Sequence, residues 1–223
     1  MLYVTSDLHR DIAFIKDFLI THQTNKDDIM FVTGDAQINY FENDEDKALK
    51  EELNALPITF VFIQGNKEKR PRRISSYQIT SYLGNKVYVE KEYPSLLFAI
   101  DGEIYYFENK SFFILGGAYS IYAPGKKDGE LWWNDEEMNE YDKRHALKNI
   151  KENRYVVDYV LSHTAPLKYN PPEIDYGEHK ISEIFLQEIE EKITYKGWYL
   201  GHFHINRDFE KIHILYKTIQ EIK

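Results

Sequence analysis

The sequence predicts an α/β protein built on parallel strands with crossover helices, and three observations carry that reading. Short apolar runs alternate with amphipathic segments as strand, helix, strand, helix, strand through Ile63. Parallel neighbours need a long crossover, and the amphipathic segments supply one each time. Each of the three strands also ends directly in polar residues, Ser6-Asp7, Gly34-Asp35 and Gln64-Gly65-Asn66. In open α/β sheets ligands sit beyond the carboxyl ends of the strands, so the three polar turns should converge.

Leu2 to Thr5 reads as a buried strand, and Asp11 to Thr21 as a helix with Ile12, Ile15, Phe18 and Leu19 at helical spacing. Ile29 to Thr33 is a second strand, Glu45 to Ala55 a charged helix and Ile58 to Ile63 a third strand. The middle is rich in Tyr, Phe and Ile, with short strands at Lys86 to Glu90, Leu97 to Ile100, Glu103 to Glu108 and Ser111 to Leu115. Asp101-Gly102 and Asn109-Lys110 are expected as hairpin turns between the last three. Tyr119 to Asn134 is a long loop, and Asp135 to Asn153 a charged helix with Asp135, Glu136 and Glu137 at its N-terminus. Tyr155 to Leu161 is a strand leading into Ser162-His163, and Gly197 to Leu200 one leading into Gly201-His202. Between them lie a loop from Pro166 to Pro172 and a helix around Lys180 to Lys192. Phe203 to Phe209 and Lys211 to Tyr216 are expected to close the chain as a hairpin. With no repeat, low-complexity tract or linker, residues 1–223 read as one domain.

Composition narrows the function classes. Lys and Arg number 28 against 37 Asp and Glu, a net charge of −9 over 223 residues. Broad attachment to DNA or to an anionic membrane needs the opposite balance. The chain has no cysteine, which excludes disulfides, thiolate metal sites and cysteine nucleophiles. Its first residues lack the basic start and apolar run of a signal peptide, and its longest apolar stretches, such as Phe60 to Ile63, are too short to span a bilayer. The expectation is a soluble cytoplasmic protein with no membrane partner.

Five strand ends carry Asp7 with His9, Asp35, Asn66, His163, and His202 with His204. Carboxylate, amide oxygen and imidazole nitrogen together suit Mn, Fe, Zn or Ni better than a thiolate site or an all-oxygen calcium cage. Asp7/His9 and His202/His204 are i, i+2 pairs, and where a strand opens into a turn such a pair can point two donors at one ion. The remaining histidines, His22, His145, His179 and His213, fall outside this pattern and read as surface or internally satisfied residues.

The order D-x-H, G-D, G-N, H, G-H-x-H from Asp7 to His204 resembles the calcineurin-like metallophosphoesterases. Gly34-Asp35-Ala36-Gln37 and Leu115-Gly116-Gly117-Ala118-Tyr119-Ser120 look like small bacterial or phage members and lariat debranching enzymes. The resemblance implies two β-sheets flanked by helices in four α-β-β-α layers, with two divalent metals in a cleft between the sheets. It implies one metal held by Asp7, His9, Asp35 and His204, and another by Asp35 as bridge, Asn66, His163 and His202, with Mn expected first and Fe, Zn or Ni as alternatives. A hydroxide bridging the two ions would attack a phosphoester in line, with no covalent intermediate.

The departures from that pattern are specific. The usual G-N-H-[DE] is Gly65-Asn66-Lys67-Glu68, so a lysine stands where the family has a histidine that assists the leaving group. The Arg that follows G-D in serine/threonine phosphatases is absent, and the glycine that often follows D-x-H is Arg10. Lys67 is expected to hold a phosphoryl oxygen as a cation and to donate a proton, with a solvated loop lysine as the plainer alternative. Arg10 and Arg70 are the further candidates for substrate contact.

Lys67 to Arg73 carries five basic residues against one acid, a local +4 that leaves −13 on the rest of the chain. It is either an extra phosphate-binding patch or a solvated charged loop. Tyr119, Tyr122, Trp132 and Trp133 could stack a base or an aryl group, but packing of the loop is the commoner role of such residues. The substrate is therefore expected among phosphorylated small molecules, phosphoproteins and short nucleic acids, as monoester or diester. The competing class is a metal-binding scaffold of the same fold that acts in protein interaction without catalysis.

Overall fold

The computed structural model describes residues 1–120, 125–173 and 181–223. Tyr122, His179 and Lys180 lie outside the described residues. The first sheet contains β1 (Leu2–Thr5), β2 (Ile29–Val32), β3 (Thr59–Phe62), β4 (Tyr77–Tyr82), β5 (Asn85–Glu90), β6 (Leu96–Ala99) and β13 (Gln220–Glu221), in the order β13-β1-β2-β3-β6-β5-β4. The second contains β7 (Ile104–Phe107), β8 (Lys110–Leu115), β9 (Tyr159–Ser162), β10 (Gly197–Leu200), β11 (Arg207–Phe209) and β12 (Ile212–Ile214), in the order β11-β12-β10-β9-β8-β7. Their centres are parallel: β1, β2, β3 and β6 in one, and β8, β9, β10 and β12 in the other. Four α-helices are described, α1 (Ala13–Thr21), α2 (Asp44–Ala55), α3 (Glu140–Glu152) and α4 (Ile181–Glu190). Among the described residues, no helix is long and apolar enough to cross a membrane.

The continuous apolar runs are explained by burial on both faces. In β2, Ile29 and Phe31 join Val61 and Leu97 against Phe112, Ile114 and Leu161 of the second sheet. Met30 and Val32 point the other way, onto Ile15 of α1 and Leu49 and Leu53 of α2. In the second sheet, Phe113, Val160 and Trp198 turn outward onto Ala146 and Ile150 of α3 and Phe185, Leu186 and Ile189 of α4. The layers are thus helices, sheet, sheet, helices, a two-sheet sandwich of the α/β class.

Several expected elements differ in detail. Asp101-Gly102 is not a hairpin turn, because β6 belongs to the first sheet and β7 to the second, so this turn carries the chain between layers. Its Asp101 carboxylate accepts the Gly116 N–H at 2.9 Å. The β7–β8 hairpin does form, but Phe107 pairs with Lys110, so the turn residues are Glu108 and Asn109. Both have positive φ, 49° and 62°, as a type I′ turn requires. Helix α3 begins at Glu140, later than expected, because Asn139 caps it by accepting the N–H groups of Tyr141 and Asp142 at 2.8 and 3.0 Å. The strand expected from Tyr155 starts only at Tyr159, since Arg154 and Tyr155 both take positive φ and bend the chain first. Nor does the chain end on the β11–β12 hairpin: β13 returns to pair antiparallel with β1.

Candidate metal centre

Asp7 follows β1, Asp35 follows β2 and Asn66 follows β3, while His163 follows β9 and His202 and His204 follow β10. The parallel centres of both sheets therefore deliver their polar ends to one place. The turns that do this are backbone-strained. Asp7, His9, Asp35, His202 and His204 have φ of 54°, 45°, 51°, 72° and 54°, a region that costs non-glycine residues free energy and clusters at functional sites. Two glycines permit the crowding. At Gly34, with φ +97°, a Cβ would strike the His163 ring, and at Gly201 it would strike Ser6 and the Asp7 carboxylate.

The donors meet in two overlapping groups. Asp7, His9 and His204 can hold a metal ion, and so can Asp7, Asp35 and His163, the atoms of each group lying within 4.8 Å of one another. His9 Nε2 and His204 Nε2 stand 2.7 Å apart, each 3.7 Å from Asp7 Oδ1. Asp35 faces both sides, its Oδ2 4.0 Å from His9 Nε2 and its Oδ1 3.4 Å from His163 Nε2. Asn66 Oδ1 lies 2.9 Å from that same His163 nitrogen. His202 packs edge-on to His163 with ring centroids 5.0 Å apart, and its backbone N–H donates to Asp7 Oδ2 at 2.9 Å.

The residues fit a cation. Asp7 Oδ1 is buried and has no hydrogen-bond partner among the described residues, an arrangement that is costly unless an ion supplies the missing contact. A carbonyl can only accept, so the 2.8 Å contact from His163 Nδ1 to the Thr33 carbonyl puts the proton on Nδ1 and aims Nε2 at Asp35 and Asn66. Burial opposes charge on His163, but the Asp35 carboxylate outweighs it and raises the imidazole. Burial likewise works against Asp35, yet His163 and the Lys67 N–H, donated at 2.8 Å, hold its carboxyl well below the usual range. Asp7 is raised by burial, and His9 is lowered by burial to about 4, so its ring is neutral at pH 7 and has a lone pair to offer.

Two supporting residues are not in the expected ligand set. Gln37 Nε2 lies 3.0 Å from His9 Nδ1 and fixes that ring from behind. Glu68 is buried and accepts the Gln37 N–H at 3.1 Å and the Gly65 N–H at 3.3 Å, tying the second and third turns together. Burial, with Asp35 nearby, pushes its carboxyl up to about 8. Both residues sit in the short fragments that carry the family resemblance, the only sequence signal that could have marked them.

The expected substrate contacts are placed differently from one another. Lys67 is half-buried beside Asp35, with Nζ donating to Ser120 Oγ at 3.0 Å. Arg10 instead turns to Asp46 Oδ1 at 2.6 Å and to the Gln37 carbonyl at 2.9 Å, against the Phe41 ring. Arg70 is buried, paired with Asp101 and donating to the Asp135 and Glu136 carbonyls. The rest of the basic run is paired too: Lys69 with Glu42, Arg72 with Asp142, and Arg73 with Asp128 and Asp135. The run is thus a neutralised brace rather than a free cationic patch. Trp133 is buried against Tyr40, and Tyr119 packs on the outer core of the second sheet, so both have packing roles.

No protein-family model and no curated protein matches the sequence. Solved structures do share the fold. One covers 96% of this chain and 88% of its own at 11% identity, with a TM-score of 0.58. TT1561 of Thermus thermophilus covers 96% of this chain and 87% of its own at 12% identity, with a TM-score of 0.53. A Staphylococcus aureus protein named “Putative 5'-Nucleotidase”, solved with alpha-ketoglutarate, matches at 15% identity and a TM-score of 0.47 over 48% of its length. At these identities the likeness to the first two establishes the two-sheet α/β architecture.

Proposed function

We propose that the chain is a metal-dependent phosphoesterase acting on small phosphomonoesters. The observation that carries the reading is the meeting of Asp7, His9, Asp35, Asn66, His163, His202 and His204 from five strand ends of two sheets. Asp7, His9, Asp35 and His204 would hold one divalent ion, and Asp35, Asn66, His163 and His202 a second, with Mn first among Mn, Fe, Zn and Ni. Such ions, when bound, acidify water and neutralise charge on phosphoryl oxygens.

The chain's own groups do the rest. Asp35 divides its two oxygens between the two donor groups, which sets their relative position. Gln37 and the Thr33 carbonyl hold the His9 and His163 rings in orientations that point a nitrogen inward. The Lys67 ammonium holds a phosphoryl oxygen, and its Nζ proton passes to the departing ester oxygen. The preference for a small ester over a nucleic acid or phosphoprotein follows from the paired basic run. With Arg10 and Arg70 also engaged, the cations that would track a polyanion or a second phosphate already have partners.

Turnover of p-nitrophenyl phosphate and bis-p-nitrophenyl phosphate with Mn²⁺ tests this directly. The monoester should be the faster substrate. Replacing Lys67 by Ala should slow phenyl phosphate by about 10²–10⁴-fold, and p-nitrophenyl phosphate, whose leaving group needs no proton, far less. Faster diester cleavage would transfer the assignment to a phosphodiesterase, and equal losses on both monoesters would remove the proton-donor role. Two bound metals without turnover of any ester would make the protein a metal-binding scaffold.

A further inference from the structure

The Lys67 side chain has four rotatable bonds, so an ammonium left to itself would sweep a wide volume. It is instead the end of a buried polar chain. Lys67 Nζ donates to Ser120 Oγ at 3.0 Å. The Ser120 N–H donates to Glu136 Oε1 at 2.9 Å, and Ser120 and Glu136 are only 4% and 5% exposed. Glu136 is held in turn by its backbone. Arg70 donates to the Glu136 carbonyl from Nη2 at 3.4 Å and to the Asp135 carbonyl from Nε at 2.5 Å, while its Nη1 pairs with Asp101. Asp101 Oδ1 accepts the Gly116 N–H, which fastens the start of the segment that ends at Ser120. The second residue of that segment is Gly117, with φ +86°, where a Cβ would overlap the Glu136 carbonyl and crowd the Arg70 guanidinium.

We infer that Ser120 and Glu136 are positioning residues that hold the Lys67 ammonium beside Asp35, with Arg70 anchoring them through the 135–136 backbone. The catalytic consequence rests on the phosphoesterase reading; the tether itself does not. Asn66, Lys67 and Asp35 are fixed to one another through the Lys67 N–H on Asp35 Oδ1. The backbone end of Lys67 is therefore set by the metal-ligand turn and its ammonium end by Ser120. A charge held at both ends is preorganised for a phosphoryl or leaving-group oxygen and need not be ordered when substrate binds. The position of Arg70, unexplained as a substrate contact, follows from the same device.

Two measurements test the inference, one independent of activity. In the metal-loaded enzyme, Ser120→Ala is expected to lower kcat on phenyl phosphate roughly tenfold, about 1.4 kcal/mol, with KM little changed, while Ser120→Thr, which keeps the hydroxyl, stays near wild type. The same Ser120→Ala change made in Lys67→Ala should cost almost nothing more, because the two residues act as one unit. Equal losses in both backgrounds would overturn the inference. Lys67 acylation by an N-hydroxysuccinimide ester is read by peptide mass spectrometry, with exposed Lys47 as internal control. Ser120→Ala and Glu136→Ala should speed labelling of Lys67 several-fold relative to Lys47, and unchanged labelling would overturn the tether. If the wild type with metals bound hydrolyses no phosphoester, the functional reading fails and the labelling result alone decides whether Lys67 is held.

Discussion

Asp35→Asn is expected to lower Mn²⁺-supported phosphomonoester turnover by about 10³-fold, roughly 4 kcal/mol in barrier. The reason is geometric. Asp35 is the residue whose two oxygens face both donor groups, at 4.0 and 3.4 Å from His9 and His163, and it also accepts the Lys67 N–H. An amide keeps the volume and one acceptor but loses the charge that faces a cation on either side. With that anionic ligand gone, the variant should bind less metal at pH 7 as well as turn over more slowly. Folding is monitored by the thermal midpoint, and elemental analysis gives the metal content. Full metal content with full activity in a folded Asp35→Asn protein would remove Asp35 from the centre.

The metal-free protein should lose stability as pH rises from 7 to 9, and Glu68 should be responsible for a resolvable part of that loss. Glu68 is buried and its folded carboxyl stands at about 8, against an unfolded value near 4.5. A raised folded pKa means that the folded state keeps a proton the unfolded state has released. The stabilisation is complete below the unfolded value and is lost as pH rises through the folded one. Such a group removes about 1.4 kcal/mol per pH unit between its unfolded and folded values, or some 3–5 °C in midpoint for a chain of this length, so the Glu68 part of the loss levels off above about pH 8. Between pH 7 and 9 His163, raised against burial to about 9 by Asp35, adds in the same direction, whereas Asp7, raised to about 7, has lost most of its contribution by then. His9 and His204 are lowered, so they titrate below the window in both states and do not contribute to it. Thermal melts with chelator at pH 6.5, 7, 7.5 and 8 would show a shallower decline for Glu68→Gln than for wild type. Identical slopes would mean that Glu68 is ionised in the folded protein.

The parts of this structure that were legible in the sequence share one physical feature, burial on both faces. Strands β1, β2, β3 and β10 are uniformly buried, so they appear as unbroken apolar runs with sharp polar ends. Those ends are where the ligand candidates stand, which is why Asp7, Asp35, Asn66 and His202 could be singled out from order alone. Edge elements left no such trace. Strand β4 is largely exposed and β13 is two residues long, and neither has an apolar run to mark it. The shift of the chain between sheets at Asp101-Gly102 was equally hidden, because a local turn looks the same whether or not its flanking strands pair with each other.

Charge was the least legible quantity, since its meaning depends on partners far away in sequence. Arg10 meets Asp46 and Arg70 meets Asp101, and no local pattern links either pair. The run Lys67–Arg73 looked cationic only because the acids that neutralise it, from Glu42 to Asp142, come from other turns and from α3. Glu136 illustrates the same point in the opposite sense. It was expected at a helix N-terminus with Asp135 and Glu137, but Asn139 takes the capping role and frees Glu136 to hold Ser120.

The most direct test of the central claim is anomalous X-ray scattering from crystals grown with Mn²⁺. The account expects two manganese peaks flanking Asp35, one among Asp7, His9 and His204 and the other among Asn66, His163 and His202. A single peak away from Asp35, or no peak at these residues under saturating Mn²⁺, would contradict it.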